Sequence, residues 1–272
     1  GSVATQSWQA VPETAKTAGK KSKSAAGGVI ASVALSFSLT GGANAQSPPA
    51  INQLPTGGSV ARGTATISQT ATAQAAAMTV NQTSQRAVVN WNTFNIGSNA
   101  SVNFVQPSAS AVALNRIQSQ DPTQIMGRLT ANGQVMLVNP AGVVFGRGSQ
   151  VDVGSLVASS LAISDANFLN GNYRFAANSL NTLGAVVNQG RITTANGGAV
   201  AFLAPVVKNE GQITTPKGST LLAAAQDITV DFAGDGLISY RVNAGAANAL
   251  VENTGTVMAD GGMAVLSAQS VD

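Results

Sequence analysis

The chain contains no cysteine and no histidine among its 272 residues. The absence of both excludes disulfides, thiolate or imidazole metal sites, and catalytic pairs that need Cys or His. Charged residues make up only 9% of the sequence, far below the ~25% of an ordinary globular domain. Aromatic residues are scarce as well, at 4%.

Small and uncharged polar residues take the place of the missing charges. The chain holds 29 glycines, and its hydrophobic content of 44% excludes disorder of the low-hydrophobicity type. Runs of Ala, Val, Thr, Ser, Asn and Gln broken by Gly favour a long β-structure with tight turns over a helical enzyme. We therefore expect an all-β fold.

The net charge of +3 comes from the N-terminal region alone. Residues 46–272 contain ten of the 14 basic residues and ten of the 11 acidic residues, so their net charge is zero. No basic stripe remains to attract a phosphate backbone, and we expect no nucleic-acid partner.

The first 45 residues have the pattern of a secretory signal peptide. A lysine cluster precedes an apolar stretch of about 15 residues, and small residues precede a predicted cut between Ala45 and Gln46. The alternative is a short membrane anchor, but the stretch is below the ~20 residues that span a bilayer. We expect the Sec machinery to export the chain and the signal to be cleaved.

The segment before the lysine cluster resembles the extended signal peptide of very large exported proteins of Gram-negative bacteria. The shared positions are Val11, Glu13, Ala15, Gly19 and Lys20. The chain starts with Gly1-Ser2, which we interpret as a cloning remnant, rather than with Met. We therefore expect an N-terminal piece of a longer protein.

Three segments that begin with Asn-x-Gly repeat along the second half of the chain. They start at Asn188, Asn209 and Asn253, with offsets of 21 and 44 residues, the second taken as roughly two periods. Short β-runs with Gly turns at this spacing predict a right-handed parallel β-helix, or β-solenoid. About ten coils would accommodate residues 46–272. Stacked asparagines at the corners predict side-chain ladders.

Alternation assigns a set of apolar residues to the interior: Ile192, Val200, Phe202, Ile213, Leu221, Val257 and Val265. Residues 46–85 are predicted to form an N-terminal cap over the open end of the solenoid. Asn170-Gly171, inside residues 167–175, predicts a two-residue hairpin that projects from the coils.

The candidate sites each have a structural alternative. Asp227, Asp231 and Asp235 are interpreted as a loop between coils rather than a cation site, and no metal or cofactor is expected. Arg116 and Arg128 are assigned to a partner-facing surface or to an ion pair with Asp121. Trp91 and Phe94 are assigned to packing in the core or cap rather than to a platform on which sugars stack.

The Asn139-Pro140-Ala141-Gly142 segment separates two runs of strand-forming residues. Asn at the first place, Pro at the second and Gly at the fourth favour a β-turn. Nothing in this segment acts as a nucleophile, acid or metal ligand. From residue preferences alone, it is a corner of the β-helix.

A resemblance to a known family becomes specific from residue 88 onward. The sequence is similar to the secretion domain of two-partner secretion exoproteins of the filamentous-haemagglutinin type. Its marks occur in order: Trp91, Phe94-Asn95-Ile96-Gly97, Val102, Phe104, Gln106-Pro107, Leu114-Asn115-Arg116-Ile117, Ile125, Gly127, Leu129, Ala131-Asn132-Gly133, and Asn139-Pro140 with Gly142. The family's usual turn is Asn-Pro-Asn-Gly, so Ala141 departs from it. No clear copy of the family's second motif, Asn-Pro-Asn-Leu, is present.

The resemblance implies a β-helix that POTRA domains of an outer-membrane barrel, the TpsB transporter, recognise in the periplasm. It assigns recognition to Asn139–Gly142 and further to Asn115, Arg116, Asn132 and Gly133. Folding outside the cell would then bias transport outward. The exported protein is expected at the surface or in the medium as a monomer, with an adhesin, haemagglutinin or contact-dependent inhibition toxin as its remainder.

Two other functions are left open by the sequence. The first is an adhesin whose β-helix itself binds host glycans or neighbouring cells. The second is a polysaccharide-active β-helix enzyme, which needs clustered carboxylates, whereas the acids here are scattered. No catalytic residue is therefore assigned.

Overall fold

The computed structural model describes residues 46–178, 183–232 and 238–271. In this part of the chain, the backbone winds through three β-sheets and adds one strand to a sheet on each pass. Sheet 1 consists of β1 (Ser59–Arg62), β4 (Arg86–Trp91), β6 (Val112–Ile117), β9 (Gln134–Val138), β12 (Ser155–Ser159), β16 (Ala199–Ala204), β19 (Ser219–Ala224) and β24 (Met263–Ala268).

The other two sheets complete the coil. Sheet 2 consists of β2 (Ala65–Ala71), β3 (Ala76–Gln82), β5 (Ala100–Val105), β8 (Arg128–Ala131), β11 (Gln150–Val153), β15 (Arg191–Thr194), β18 (Gln212–Thr214) and β23 (Thr256–Met258). Sheet 3 consists of β7 (Thr123–Ile125), β10 (Val143–Phe145), β14 (Val186–Asn188), β17 (Val206–Asn209) and β22 (Leu250–Asn253). The chain passes from sheet 3 to sheet 2 to sheet 1 and back, which confirms the predicted parallel β-helix.

Antiparallel pairing closes the N-terminal end. β1 pairs antiparallel with β4, and β2 pairs antiparallel with β3. β3 lies within the range predicted for the cap, yet it already pairs parallel with β5. β1 and β2 therefore cover the edges of β4 and β3, to which another strand could otherwise add.

A fourth sheet lies outside the coils. It is antiparallel and consists of β13 (Tyr173–Ala176), β20 (Asp227–Phe232) and β21 (Ile238–Ala244). It packs with the single described helix, α1 (Asp165–Leu169), on the outer face of sheet 1. We call this group the outer layer.

The prediction of a hairpin at Asn170-Gly171 is wrong. Residues before it form α1, because the Ser164 side chain accepts a hydrogen bond from the Asn167 backbone N–H as its N-cap. Gly171, at φ +72°, follows the helix in the left-handed conformation that favours glycine. The strand after it, β13, pairs with the distant β20. The extra-helical hairpin is instead formed by β20 and β21.

The interpretation of the second offset, 44 residues, as two periods of the repeat is also wrong. Asn209 pairs directly with Asn253 in adjacent strands, so the offset of 44 residues corresponds to one coil. The additional residues form the hairpin of β20 and β21. Among the described residues, sheets 1 and 2 each contain seven strands in parallel register rather than the ten expected, because inserted segments and the cap consume chain length.

Side chains of sheet 1 are buried on both faces. In β9, Val135 and Leu137 point into the coil, whereas Met136 and Val138 pack under the outer layer. The same alternation places Leu222 inside, while Leu221 and Val265, both predicted to be interior, contact the outer layer. A strand covered on both faces loses the polar alternation that identifies its inward side.

The predicted asparagine ladder is confirmed at the corner between sheets 3 and 2. The Asn188 side-chain amide donates to Asn209 Oδ1 at 2.8 Å, and the Asn209 amide donates to Asn253 Oδ1 at 2.8 Å. The backbone N–H of Gly190 donates to Asn188 Oδ1 at 3.0 Å. The ladder therefore links adjacent coils, and Asn188 also satisfies the turn that follows it.

Candidate functional site: the Asn139–Gly142 turn

The Asn139–Gly142 segment connects β9 in sheet 1 to β10 in sheet 3. The Gly142 backbone N–H donates to the Asn139 carbonyl at 2.8 Å, which closes the predicted β-turn. Gly142 has φ +110°, outside the range that a residue with a side chain readily adopts. A Cβ at this position would lie 2.6 Å from the Ala185 carbonyl oxygen of the next coil. Glycine is therefore required here for two independent reasons.

The Asn139 side chain faces the protein interior and is fully buried. Its amide donates to the Asp121 carbonyl and to Thr123 Oγ1, both at 3.1 Å. Its Oδ1 accepts a hydrogen bond from the Ala141 backbone N–H at 3.0 Å. The asparagine thus satisfies its own turn and binds the preceding coil.

The turn also contacts the following coil. The Pro140 carbonyl accepts a hydrogen bond from the Gly184 backbone N–H at 2.8 Å. Gly184 has no room for a side chain, because a Cβ would lie 1.9 Å from the Ala141 carbonyl oxygen. Ala141 itself is half-buried and Pro140 borders a groove. Three successive coils therefore meet at this corner.

The other predicted recognition residues lie in two different places. Asn115 is fully buried inside the coil, where its Oδ1 accepts a hydrogen bond from Trp91 Nε1 at 2.9 Å. Asn132 and Gly133 lie at the corner between sheets 2 and 1. There, the Asn132 side chain exchanges two hydrogen bonds with the Gln106 backbone, and the Gly133 N–H donates to Gln106 Oε1. They sit at the opposite end of β9 from the turn.

Arg116 is the predicted residue that the structure brings near the turn. It lines a groove of about 810 Å³ together with Pro140, Val138, Asp165 and Arg174. The groove lies between the end of sheet 1 and the outer layer. Its walls are mostly apolar, and its charged groups are paired with one another or with neighbours.

The ion pairs differ from those expected. Arg116 Nη2 lies 2.8 Å from Asp165 Oδ1, and Arg62 Nε lies 3.3 Å from Asp165 Oδ2. Neither Arg116 nor Arg128 pairs with Asp121; Arg128 donates instead to Gln150 Oε1 at 3.0 Å. Asp165 opens α1, so only the folded outer layer brings it to the arginines.

Asp227 and Asp231 lie on strand β20 rather than in the predicted loop, and Asp235 is outside the described residues. Asp227 accepts from Arg174 Nε at 3.0 Å, and Asn243 Nδ2 donates to it at 2.9 Å. In the described part of the chain, no three His, Cys, Asp or Glu residues come within reach of a shared metal ion. Asp227 therefore links β13 to β21 across the antiparallel sheet.

We expect the stability of the outer layer to depend on pH through Asp227. Hydrogen bonds from Arg174 lower the pKa of this carboxyl below its ordinary value, and burial opposes the shift in part. A pKa that is lower in the folded state stabilises the fold above the ordinary carboxylate pKa, and this contribution is lost as pH falls through the lowered value. Asp227→Asn should therefore reduce the thermal midpoint modestly at neutral pH and have little effect in strong acid.

Thermal unfolding of residues 46–272 and of the variant across a pH series measures this effect. The matched control is Asp231→Asn, which also removes one negative charge but at an exposed position of the same strand. A constant difference between Asp227→Asn and the parent at all pH values would contradict the assignment.

The two aromatic residues predicted to pack in the core, Trp91 and Phe94, do so. Trp91 and Phe94 are buried, and their rings meet edge-to-face with centroids 5.3 Å apart. Within the described residues, no helix has the length and apolar character needed to cross a bilayer. The predicted signal peptide, including Ala45, lies outside the described residues.

Comparison with known proteins decides the family. Residues 52–271 match the family described as the TPS secretion domain. The chain belongs to the TPS secretion domain family. Residues 2–42 match the extended signal peptide of the type V secretion system. The two matches together show a protein that is exported across the outer membrane to the cell surface or the extracellular space, and membership of the family implies an outer-membrane transporter as its partner.

Relatives agree with this assignment. The crystal structure of the HMW1 secretion domain from Haemophilus influenzae is similar, with a TM-score of 0.70 and 32% identity over 80% of this chain and 60% of that one. A heme/hemopexin-binding protein of Haemophilus influenzae is 33% identical over 189 residues, and a second is 39% identical over 101 residues. These matches cover 67% and 37% of this TPS domain chain, but only 21% and 11% of the two relatives.

Proposed function

We propose that residues 46–272 form the targeting domain that POTRA domains of a cognate TpsB transporter bind in the periplasm. Binding would direct the export of the polypeptide to which the domain is attached. The match to the TPS family over residues 52–271, next to an extended signal peptide, is the observation that carries this proposal.

Signal cleavage between Ala45 and Gln46 fits this role. Gln46 is exposed, and the Ser47 carbonyl already accepts a hydrogen bond from the Gln124 side chain at 3.2 Å. This hydrogen bond attaches the chain to the coil two residues after the proposed cut. Mass spectrometry of the secreted chain tests the position, and a mature N-terminus elsewhere would refute it.

The burial of the motif residues bears on when the transporter binds. Asn115 and Asn139 are fully buried, and Asn132 is engaged by Gln106. A partner that docked on the folded surface could not contact the first two side chains. We therefore assign recognition to the stage before these coils close, when the asparagines and the backbone of the turn are still exposed. Folding outside the cell would follow and would prevent return.

Binding of the isolated POTRA region tests this order. We expect the Gly142→Val variant, which cannot form the native turn, to bind at least as tightly as the parent. The folded parent should bind more weakly than the same chain diluted freshly from denaturant. Isothermal titration or biolayer interferometry measures these affinities. Tighter binding to the folded parent than to the variant would overturn recognition before folding, and no binding in any state would overturn the proposed function.

The role of the exported remainder is a separate proposal. We propose an adhesin or haemagglutinin, or alternatively a contact-dependent inhibition toxin. The two relatives are named for heme and hemopexin binding, so capture of these ligands is a third role to test. Cell adherence, growth of neighbouring bacteria and hemopexin binding by the whole protein distinguish the three.

A further inference from the structure

The outer face of sheet 2 is a flat polar array with a regular spacing. On its four central strands, β8, β11, β15 and β18, parallel register aligns the outward residues in two rows. The first row is Arg128, Gln150, Arg191 and Gln212, and the second row is Thr130, Asp152, Thr193 and Thr214. Successive rungs are ~4.8 Å apart. We call this surface the sheet 2 face.

Two arginines occupy alternate rungs of the first row, and a third lies at the rim. Arg128 and Arg191 are exposed, and their backbones are about 10 Å apart because one strand separates them. Arg147 is exposed in the turn that leads into β11. Within the described residues, none of the three forms an ion pair with a carboxylate. Arg128 only donates to the neutral Gln150 side chain.

The acidic residues near this face are too few to cancel the charge of its arginines. Asp152 is the acidic residue of the four central strands, in the second row between Thr130 and Thr193. Glu210 lies at the corner, where Gln189 donates to it at 2.9 Å. With the rim included, three guanidinium groups face two carboxylates, Asp152 and Glu210, which leaves a small local excess of positive charge on a domain whose overall charge is zero.

The chemistry of the face selects the kind of partner. Protein interfaces depend on buried apolar or aromatic anchors, and the outward side chains of these four strands include none. The face also lacks aromatic rings on which a neutral sugar could stack. Its hydroxyl and amide groups can bond to sugar hydroxyls, while guanidinium groups bind sulfate in a bidentate manner.

We propose that the sheet 2 face binds a linear sulfated polysaccharide once the domain is folded outside the cell. Arg128 and Arg191 would contact sulfate groups on successive parts of the polymer, with Arg147 at the rim. The threonines and glutamines between them would bond to hydroxyl groups. This function is distinct from secretion and uses residues outside the Asn139–Gly142 turn.

The test replaces Arg128 and Arg191 together by Gln. Glutamine already occupies the same row at Gln150 and Gln212, so the fold accepts it there. Folded residues 46–272 should bind immobilised heparin at low salt, and added salt should weaken that binding. The double variant should lose about tenfold in affinity, since two exposed charge contacts are removed. The denaturation midpoint of the double variant should match that of the parent, because both changes lie at exposed positions.

A matched control carries the same change in charge on other surfaces. Lys208→Gln with Arg241→Gln alters sheet 3 and the antiparallel sheet, and its affinity for heparin should equal that of the parent. Desulfated heparin should not bind. Equal loss in both double variants, equal binding of desulfated heparin, or stronger binding to double-stranded DNA or lipopolysaccharide vesicles than to heparin would each overturn the proposal.

Discussion

Gly142→Val is expected to destabilise residues 46–272 strongly and to reduce their accumulation in the culture medium. The backbone at this position has φ +110°, and a Cβ would lie 2.6 Å from the Ala185 carbonyl oxygen. Strain and overlap together should cost roughly 3–5 kcal/mol, which is a large part of the ~5–15 kcal/mol that stabilises a typical domain. Urea denaturation and immunoblotting of the medium measure the two effects.

Gly148→Ala separates the two causes. Gly148 also has a positive φ, of +83°, but open space surrounds the place of its Cβ. The change should cost only about 1 kcal/mol for the backbone conformation, and secretion should persist. If Gly142→Val denatured at the same urea concentration as Gly148→Ala, the contact with Ala185 would not exist as described.

Asn139→Ala is expected to destabilise the fold by roughly 2–4 kcal/mol and to reduce secretion in proportion. The change removes two donated hydrogen bonds and one accepted bond from a fully buried site, and it leaves the groups that they satisfied without partners. Asn139→Asp should be at least as harmful, because a carboxylate oxygen would then face the Asp121 carbonyl. Denaturant midpoints compare the variants.

Ala141→Asn is the contrasting variant. It restores the family's usual Asn-Pro-Asn-Gly turn at a half-buried position, where substitutions usually change stability by no more than about 0.5 kcal/mol. We expect its stability and secretion to match the parent. Unchanged secretion in Asn139→Ala would contradict the requirement for this turn. A marked loss of secretion in Ala141→Asn would show that the side chain at residue 141 itself matters.

The sequence was sufficient to predict the coil and its corners. The Asn-x-Gly repeat predicted adjacent strands joined by an asparagine ladder, and Asn188 and Asn209 form that ladder. Asn, Pro and Gly at residues 139, 140 and 142 predicted the closing hydrogen bond of the turn. These features depend on residues close in sequence or repeated at a fixed spacing, so local preference identifies them.

Features that depend on insertions could not be predicted in the same way. The hairpin of β20 and β21 interrupts one coil, so an offset of 44 residues was interpreted as two periods. Because the outer layer covers sheet 1, Leu221 faces outward although it is apolar and buried. The Arg116–Asp165 pair joins residues 49 positions apart through that layer. Arg128 and Arg191 come close only because of the register of β8, β11 and β15, and this register cannot be read from the sequence.

Secretion in the presence and absence of the transporter tests the central claim most directly. The chain would be expressed with its leader in a Gram-negative host, with the intact TpsB partner, with the partner lacking its POTRA domains, or with no partner. We predict residues 46–272 in the medium only with the intact partner, and in the periplasm otherwise. Equal amounts in the medium without the partner would contradict the assignment of this domain to partner-directed export.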